Sequence, residues 1–152
     1  MLAERLSADY ITAYKAHDAT RLTVLRLLKT AVTNRLVELK QPGGQLGDEE
    51  MLDLILKQAK QRRDSIEQYE GASRKDLADR ERAELAVLEE YLPKPLTDTE
   101  LAAAIQGAIA ETGAGSAREM GKVMGIVMAK HKGRVDGKRV SDLTREMLTA
   151  TS

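Results

Sequence analysis

Seven cations lie between Ser116 and Val140, namely Arg118, Lys122, Lys130, Lys132, Arg134, Lys138 and Arg139, and only Glu119 and Asp136 oppose them. The whole chain carries 24 basic and 24 acidic residues, so this excess is local. The chemistry it offers is anion binding, with ammonium and guanidinium heads set against the oxygens of a polyanion. Lys130, Lys132 and Arg134 fall at the end of one expected helix and in the turn after it. Cations there also answer the helix dipole. Lys138 and Arg139 open the following helix, where the same dipole disfavours them. An external anion is the better reason for that pair, assisted by the free amides of the helix start.

Acid–base chemistry has little to work with. Only His17 and His131 titrate near neutral pH. His17 falls in a turn with Asp18, where a solvated role is expected, and His131 lies inside the basic cluster. The chain has no Cys, which removes thiolate catalysis, disulfides and cysteine-bound metals. No phosphate-binding GxxxxGK[ST] loop, no HExxH and no Ser–His–acid grouping occurs. No catalytic residue, cofactor or metal site is therefore expected.

Gly121 and Gly125 stand four residues apart, on one face of an expected helix. Glycine inside a helix costs about 1 kcal/mol relative to Ala, so both need a reason. Close helix–helix packing is the favoured account. The other is that bare backbone beside Lys122 admits a nucleic-acid backbone. Gly133 and Gly137 bracket a turn, where positive φ is the ordinary explanation.

The elements that must position these residues read as helices throughout. Leu22, Leu25, Leu28, Val32, Leu36 and Leu39 recur at steps of three and four, and Leu2, Leu6, Tyr10 and Tyr14 at steps of four. Pro42-Gly43-Gly44 breaks the chain, Asp48 is placed to cap a third helix, and Gly71 to end it. Arg62 and Arg63 share that helix with Asp64, Glu67 and Glu70, so exposed pairs along it are the plain account. Leu77, Leu85, Leu88 and Leu92 mark a fourth helix. Pro93-Lys94-Pro95 then stops helix outright. Beyond it, Thr97 with Glu100 and Ser116 with Glu119 each make a capping box, and Asp136 can cap the last helix. The expected fold is all-α: an N-terminal four-helix domain over 1–92, a linker over 93–96, and a three-helix C-terminal domain over 97–152. With no Phe, no Trp and four Tyr, all upstream of the linker, the C-terminal part lacks a base-stacking platform.

The segments GKVMG (Gly121 to Gly125) and KGRVDGKRV (Lys132 to Val140) resemble the signature of the YqeY family. The likeness continues upstream through RRDSIEQYE and LEEYLP, and through TRLTVLRLLKTAV near the N-terminus. Members of that family are similar to the C-terminal tail of GatB, a subunit of the glutamine-dependent aminoacyl-tRNA amidotransferases. The resemblance implies a GatB/YqeY-like helical fold and a non-catalytic, tRNA-associated accessory role. It associates the chain with carbon–nitrogen ligase complexes that use glutamine as amide donor, without implying intrinsic activity, since no catalytic cradle precedes the tail-like part. By that resemblance Lys122, Lys130, Lys132, Arg134, Lys138 and Arg139 are the proposed phosphate contacts, with Gly121, Gly125 and Gly133 as close-approach positions. Lys130 and Arg139 stand at its more variable positions. The implied partners are tRNA and an amidotransferase or other translation-related protein. A helical protein-interaction adaptor and a modulator of such a ligase are the alternatives. The first residues include charge and no long apolar run, so neither leader nor membrane contact is expected, and the default location is cytoplasmic.

Overall fold

The computed structural model describes residues 1–151. Among them are seven α-helices, one short 3₁₀ turn and no strand. The chain divides after Leu92 into two compact units.

The first unit holds α1 (Leu2–Lys15), α2 (Ala19–Glu38), α3 (Asp48–Gly71) and α4 (Lys75–Glu89). Between α1 and α2 the chain turns through His17, left-handed at φ 54°. The Asp18 side chain then caps α2 by accepting the Arg21 N–H at 3.1 Å. Asp48 does not cap its own helix. Its carboxylate accepts the Leu2 N–H at 2.9 Å and faces the N-terminal ammonium at 3.1 Å. Those two partners hold its pKa below the ordinary value, the Leu2 amide first. Gly71 is still helical, and the left-handed residue after α3 is Ser73, at φ 57°. Val24, Leu25, Leu28, Met51, Ile55, Ala59, Leu88 and Tyr91 form the core. Tyr14, the last of the expected α1 stripe, is left out of it at 61% exposed.

Arg62 takes the next inward step on α3 after Ile55 and Ala59. Its guanidinium, 7% exposed, pairs with Glu84 and, at 3.1 Å, with Glu81, both on α4. The expected surface pairing with acids of its own helix is therefore wrong for Arg62. A buried cation needs carboxylates that close over it, and a neighbouring helix supplies them.

The second unit holds α5 (Asp98–Thr112), the 3₁₀ turn Ala117–Glu119, α6 (Met120–Lys130) and α7 (Gly137–Thr151). Thr97 and Glu100 form the full capping box at the start of α5, and Gly113 ends it at φ 69°. The second expected box does not form. Glu119 instead accepts the Gly115 N–H at 2.7 Å, which tightens Ala117–Glu119 into the 3₁₀ turn. Leu101, Ile105, Val123, Val127, Val140 and Leu148 build the core. Thr144, one turn from both Val140 and Leu148, is buried with them.

Candidate nucleic-acid interface

The basic cluster lies on α6, the turn after it and the first turn of α7, and its members do three different things. Arg134 is structural. Its Nε donates to the Lys94 carbonyl at 2.8 Å, and its own carbonyl accepts the Leu96 N–H at 2.9 Å. Two bonds in opposite senses fasten the segment before α5 to the α6–α7 turn. Lys130 faces Glu111 at 3.0 Å, and Arg139 faces Asp98 at 3.1 Å, both pairs lying at the surface. Arg139 thus has an internal reason to stand at a helix start, since Asp98 belongs to the first turn of α5. Exposed pairs of this kind are worth less than about 1 kcal/mol, so an incoming phosphate can replace the carboxylate at small cost.

Lys122 and Lys138 differ from these. Both are exposed, and neither forms an ion pair among the described residues. Lys132, in the turn, is half-buried and has a partner of its own. His131 ends α6, donating its N–H to the Val127 carbonyl at 3.0 Å, while its carbonyl accepts the Arg134 N–H at 2.9 Å. Asp136 accepts the Arg139 N–H at 3.3 Å and so caps α7 as expected.

The glycines overturn the favoured account of their spacing. A Cβ added at Gly121 or at Gly125 would meet nothing within 4 Å. Both lie on the solvent side of α6, while Val123 and Val127 turn inward. Helix packing therefore requires neither glycine. Gly133 is left-handed, at φ 81°, as a turn demands. Gly137 is not left-handed. It is the first residue of α7, and a Cβ there would touch the Met128 methyl at 3.8 Å. That contact sets the opening of α7 beside the exposed side of α6. Gly121 and Gly125 share one exposed face of α6, with Lys122 next to the first of them and the exposed Met128 one turn beyond the second.

The described residues contain no cluster of three or more His, Asp or Glu able to hold a metal ion. No described helix is long and apolar enough to cross a membrane.

Residues 3–148 match the family of Yqey-like proteins. Among curated relatives, a protein of Pyrenophora tritici-repentis called "Altered inheritance of mitochondria protein 41, mitochondrial" is 32% identical over 149 residues, covering 96% of this chain and 80% of the relative. The protein of the same name in Lachancea thermotolerans is 34% identical over 57% of this chain and 46% of its own length. Its namesake in Saccharomyces cerevisiae is 31% identical over 63% of this chain and 51% of its own. The matched part is thus about half the length of the two yeast relatives. These names correct the expected cytoplasmic location, because the relatives this chain is similar to are mitochondrial proteins by name. The expectation rested on missing signals, which carry less weight than named relatives.

Proposed function

The chain belongs to the Yqey-like protein family, and from that premise we propose that it is a non-catalytic accessory module that binds folded RNA, tRNA first, through the exposed side of α6 and the opening turn of α7. The setting taken from its relatives' names is mitochondrial. In this reading α5, α6 and α7 correspond to the tail of GatB, and the link to glutamine-dependent amidation is one of assembly, not of chemistry in this chain.

One observation carries the reading: Gly121 and Gly125 weaken a helix on a side where nothing in the fold needs them. A glycine in a helix is destabilising by roughly 0.5–1 kcal/mol relative to Ala. Close approach by a partner's backbone would account for glycine at both places. A phosphodiester backbone fits, because Lys122 adjoins Gly121, Lys138 opens α7, and both are exposed with no ion pair among the described residues. Recognition would be of shape, through phosphate and 2′-OH groups, since no aromatic residue lies in this unit.

The test is binding of labelled tRNA across a salt series, for the native chain and for Lys122→Ala with Lys138→Ala. The double variant is expected to bind more weakly and to flatten the log–log salt slope by about one unit for each phosphate it no longer neutralises. Arg134→Ala is a poor probe, because it also releases the Lys94 carbonyl. Equal affinity and equal slope for the double variant and the native chain would exclude this surface.

A further inference from the structure

The first unit carries an apolar groove of about 760 Å³ between α1, α2 and the Pro42–Leu46 loop. Its floor is the outer side of the core, with Leu25, Leu28 and Met51 buried beneath it. Its rims are exposed and apolar, Ile11 on α1 at 55% and Val37 on α2 at 60%. No Asp or Glu lines it, and its single charged residue is Lys29. The Lys29 ammonium lies 5.1 Å from the centre of the Tyr10 ring, at the α1 edge. Arg26, one turn before Lys29, hydrogen-bonds the Tyr10 phenol and holds its pKa below the ordinary value.

We propose that this groove is a binding site for a free long-chain carboxylate, with the alkyl chain between α1 and α2 and the head group on Lys29.

Size and charge select that class together. Small-molecule sites occupy about 300–1,000 Å³, are mostly apolar and hold a few placed polar groups, and this groove fits on all three counts. A stable protein interface needs about 800 Å² on each side. The α1 wall runs only from Ala3 to Ile11, about 12 Å at the rise of a helix, or roughly two turns of contact. The lone cation asks for a monoanion, and the absence of any lining carboxylate leaves that anion unopposed. Removing the alkyl chain from water supplies about 0.8 kcal/mol per buried CH₂, so the tail contributes most of the affinity and Lys29 selects the head. This site shares no residue with the RNA-binding surface, and neither proposal depends on the other.

Titration calorimetry of the full chain with dodecanoate and with dodecyltrimethylammonium, both as monomers, tests the proposal. Dodecanoate is expected to bind one to one, and the cation of equal chain length about tenfold more weakly, since the head-group interaction changes sign. Lys29→Glu should invert that order. Thr33→Trp, which adds an indole at the rim, should abolish binding of both while the thermal unfolding of the chain is unchanged. Equal binding of the two head groups, or no effect of Lys29→Glu, would overturn the site as a carboxylate site. Two further outcomes would do the same without dodecanoate binding. Self-association lost in Thr33→Trp would mean that a second copy covers the groove. Capture only on phosphatidylcholine vesicles containing oleate would mean that the groove rests on a membrane surface.

Discussion

In Met1–Leu92 the buried cation is Arg62, closed in by Glu81 and Glu84. From Pro93 onward the notable cations, Lys122 and Lys138, stand outside with no ion pair among the described residues. Both sets lie in segments that carry the family resemblance. The first half uses its polar signature to fix how α3 meets α4, and to tie Tyr91 to Asp9 on α1. The second half fastens its turn through Arg134 and leaves Lys122 and Lys138 at the surface. A charged motif residue therefore says little about ligand binding until its partners are known. Burial with a carboxylate marks a fold determinant, and exposure without one marks a candidate contact.

Arg62→Met tests that division most severely. Among the described residues it leaves Glu84, itself 7% exposed, with only Arg80 at 3.7 Å. Breaking a buried pair from one side costs about 3–5 kcal/mol, and the urea midpoint should fall accordingly. All four tyrosines lie before Leu92, so tyrosine fluorescence reports this half alone. Arg62→Met combined with Glu84→Leu should recover part of the loss, because no unpaired buried carboxylate then remains. A single-variant cost below about 1 kcal/mol would place Arg62 with the exposed pairs instead.

Tyr91 supplies a second mark of the same kind. Its phenol is buried and donates to Asp9, and both effects, burial first, raise its pKa above the ordinary 10.0. The folded state thus keeps a proton that the unfolded chain releases above pH 10.0. Stability from this group is complete below that pH and is lost as pH rises through the folded-state pKa. Tyr91→Phe should cost about 1.5 kcal/mol near neutral pH, the worth of a hydrogen bond to a charged group. That gap between native chain and variant should narrow in urea titrations run at increasing pH above 10.0. A constant gap would mean that the Asp9 bond does not discriminate between the protonation states.

The periodicity of Leu22 to Leu39, the stop at Pro93-Lys94-Pro95 and the Thr97–Glu100 box were all legible in the sequence, because each depends on residues within one or two turns. Arg62 was not, although a signal existed. It falls at an inward step after Ile55 and Ala59, and Glu81 and Glu84 are three apart on the next helix. Reading it requires knowing which helices pack together. The pairing of Arg139 with Asp98, and of Arg134 with the Lys94 carbonyl, was hidden for the same reason, since 41 and 40 residues separate the partners. The glycine spacing was visible, but which side of α6 faced solvent was not. That side is set by Val123 and Val127 against α5 and α7, a tertiary outcome. The groove beside Lys29 was equally invisible, because it is a gap between helices and has no motif.

A milder contrast separates local from long-range control in the second half. Thr97→Ala removes the side chain that accepts the Glu100 N–H at 3.2 Å, and with it one arm of the capping box. The expected loss is about 1 kcal/mol, carried by the first turn of α5. Faster amide exchange at Glu100 and Leu101, with α4 unaffected, is the matching signature. Equal acceleration across α4 would show that the cap is not a local device.

The smallest expected effect runs in the opposite direction and bears most directly on function. Gly125→Ala puts a methyl group where nothing lies within 4 Å, in the interior of α6. Ala there should stabilise the helix by roughly 0.5–1 kcal/mol, seen as slower exchange of the α6 amides. If the bare strip beside Lys122 exists for an RNA backbone, the same methyl group should weaken tRNA binding while leaving the salt slope intact, because no charge is removed. Stability and binding would then move in opposite senses from one added carbon, which neither a packing glycine nor a neutral surface position can produce. A variant that gains stability and keeps full affinity would remove Gly125 from the interface and leave Lys122 and Lys138 as its only support.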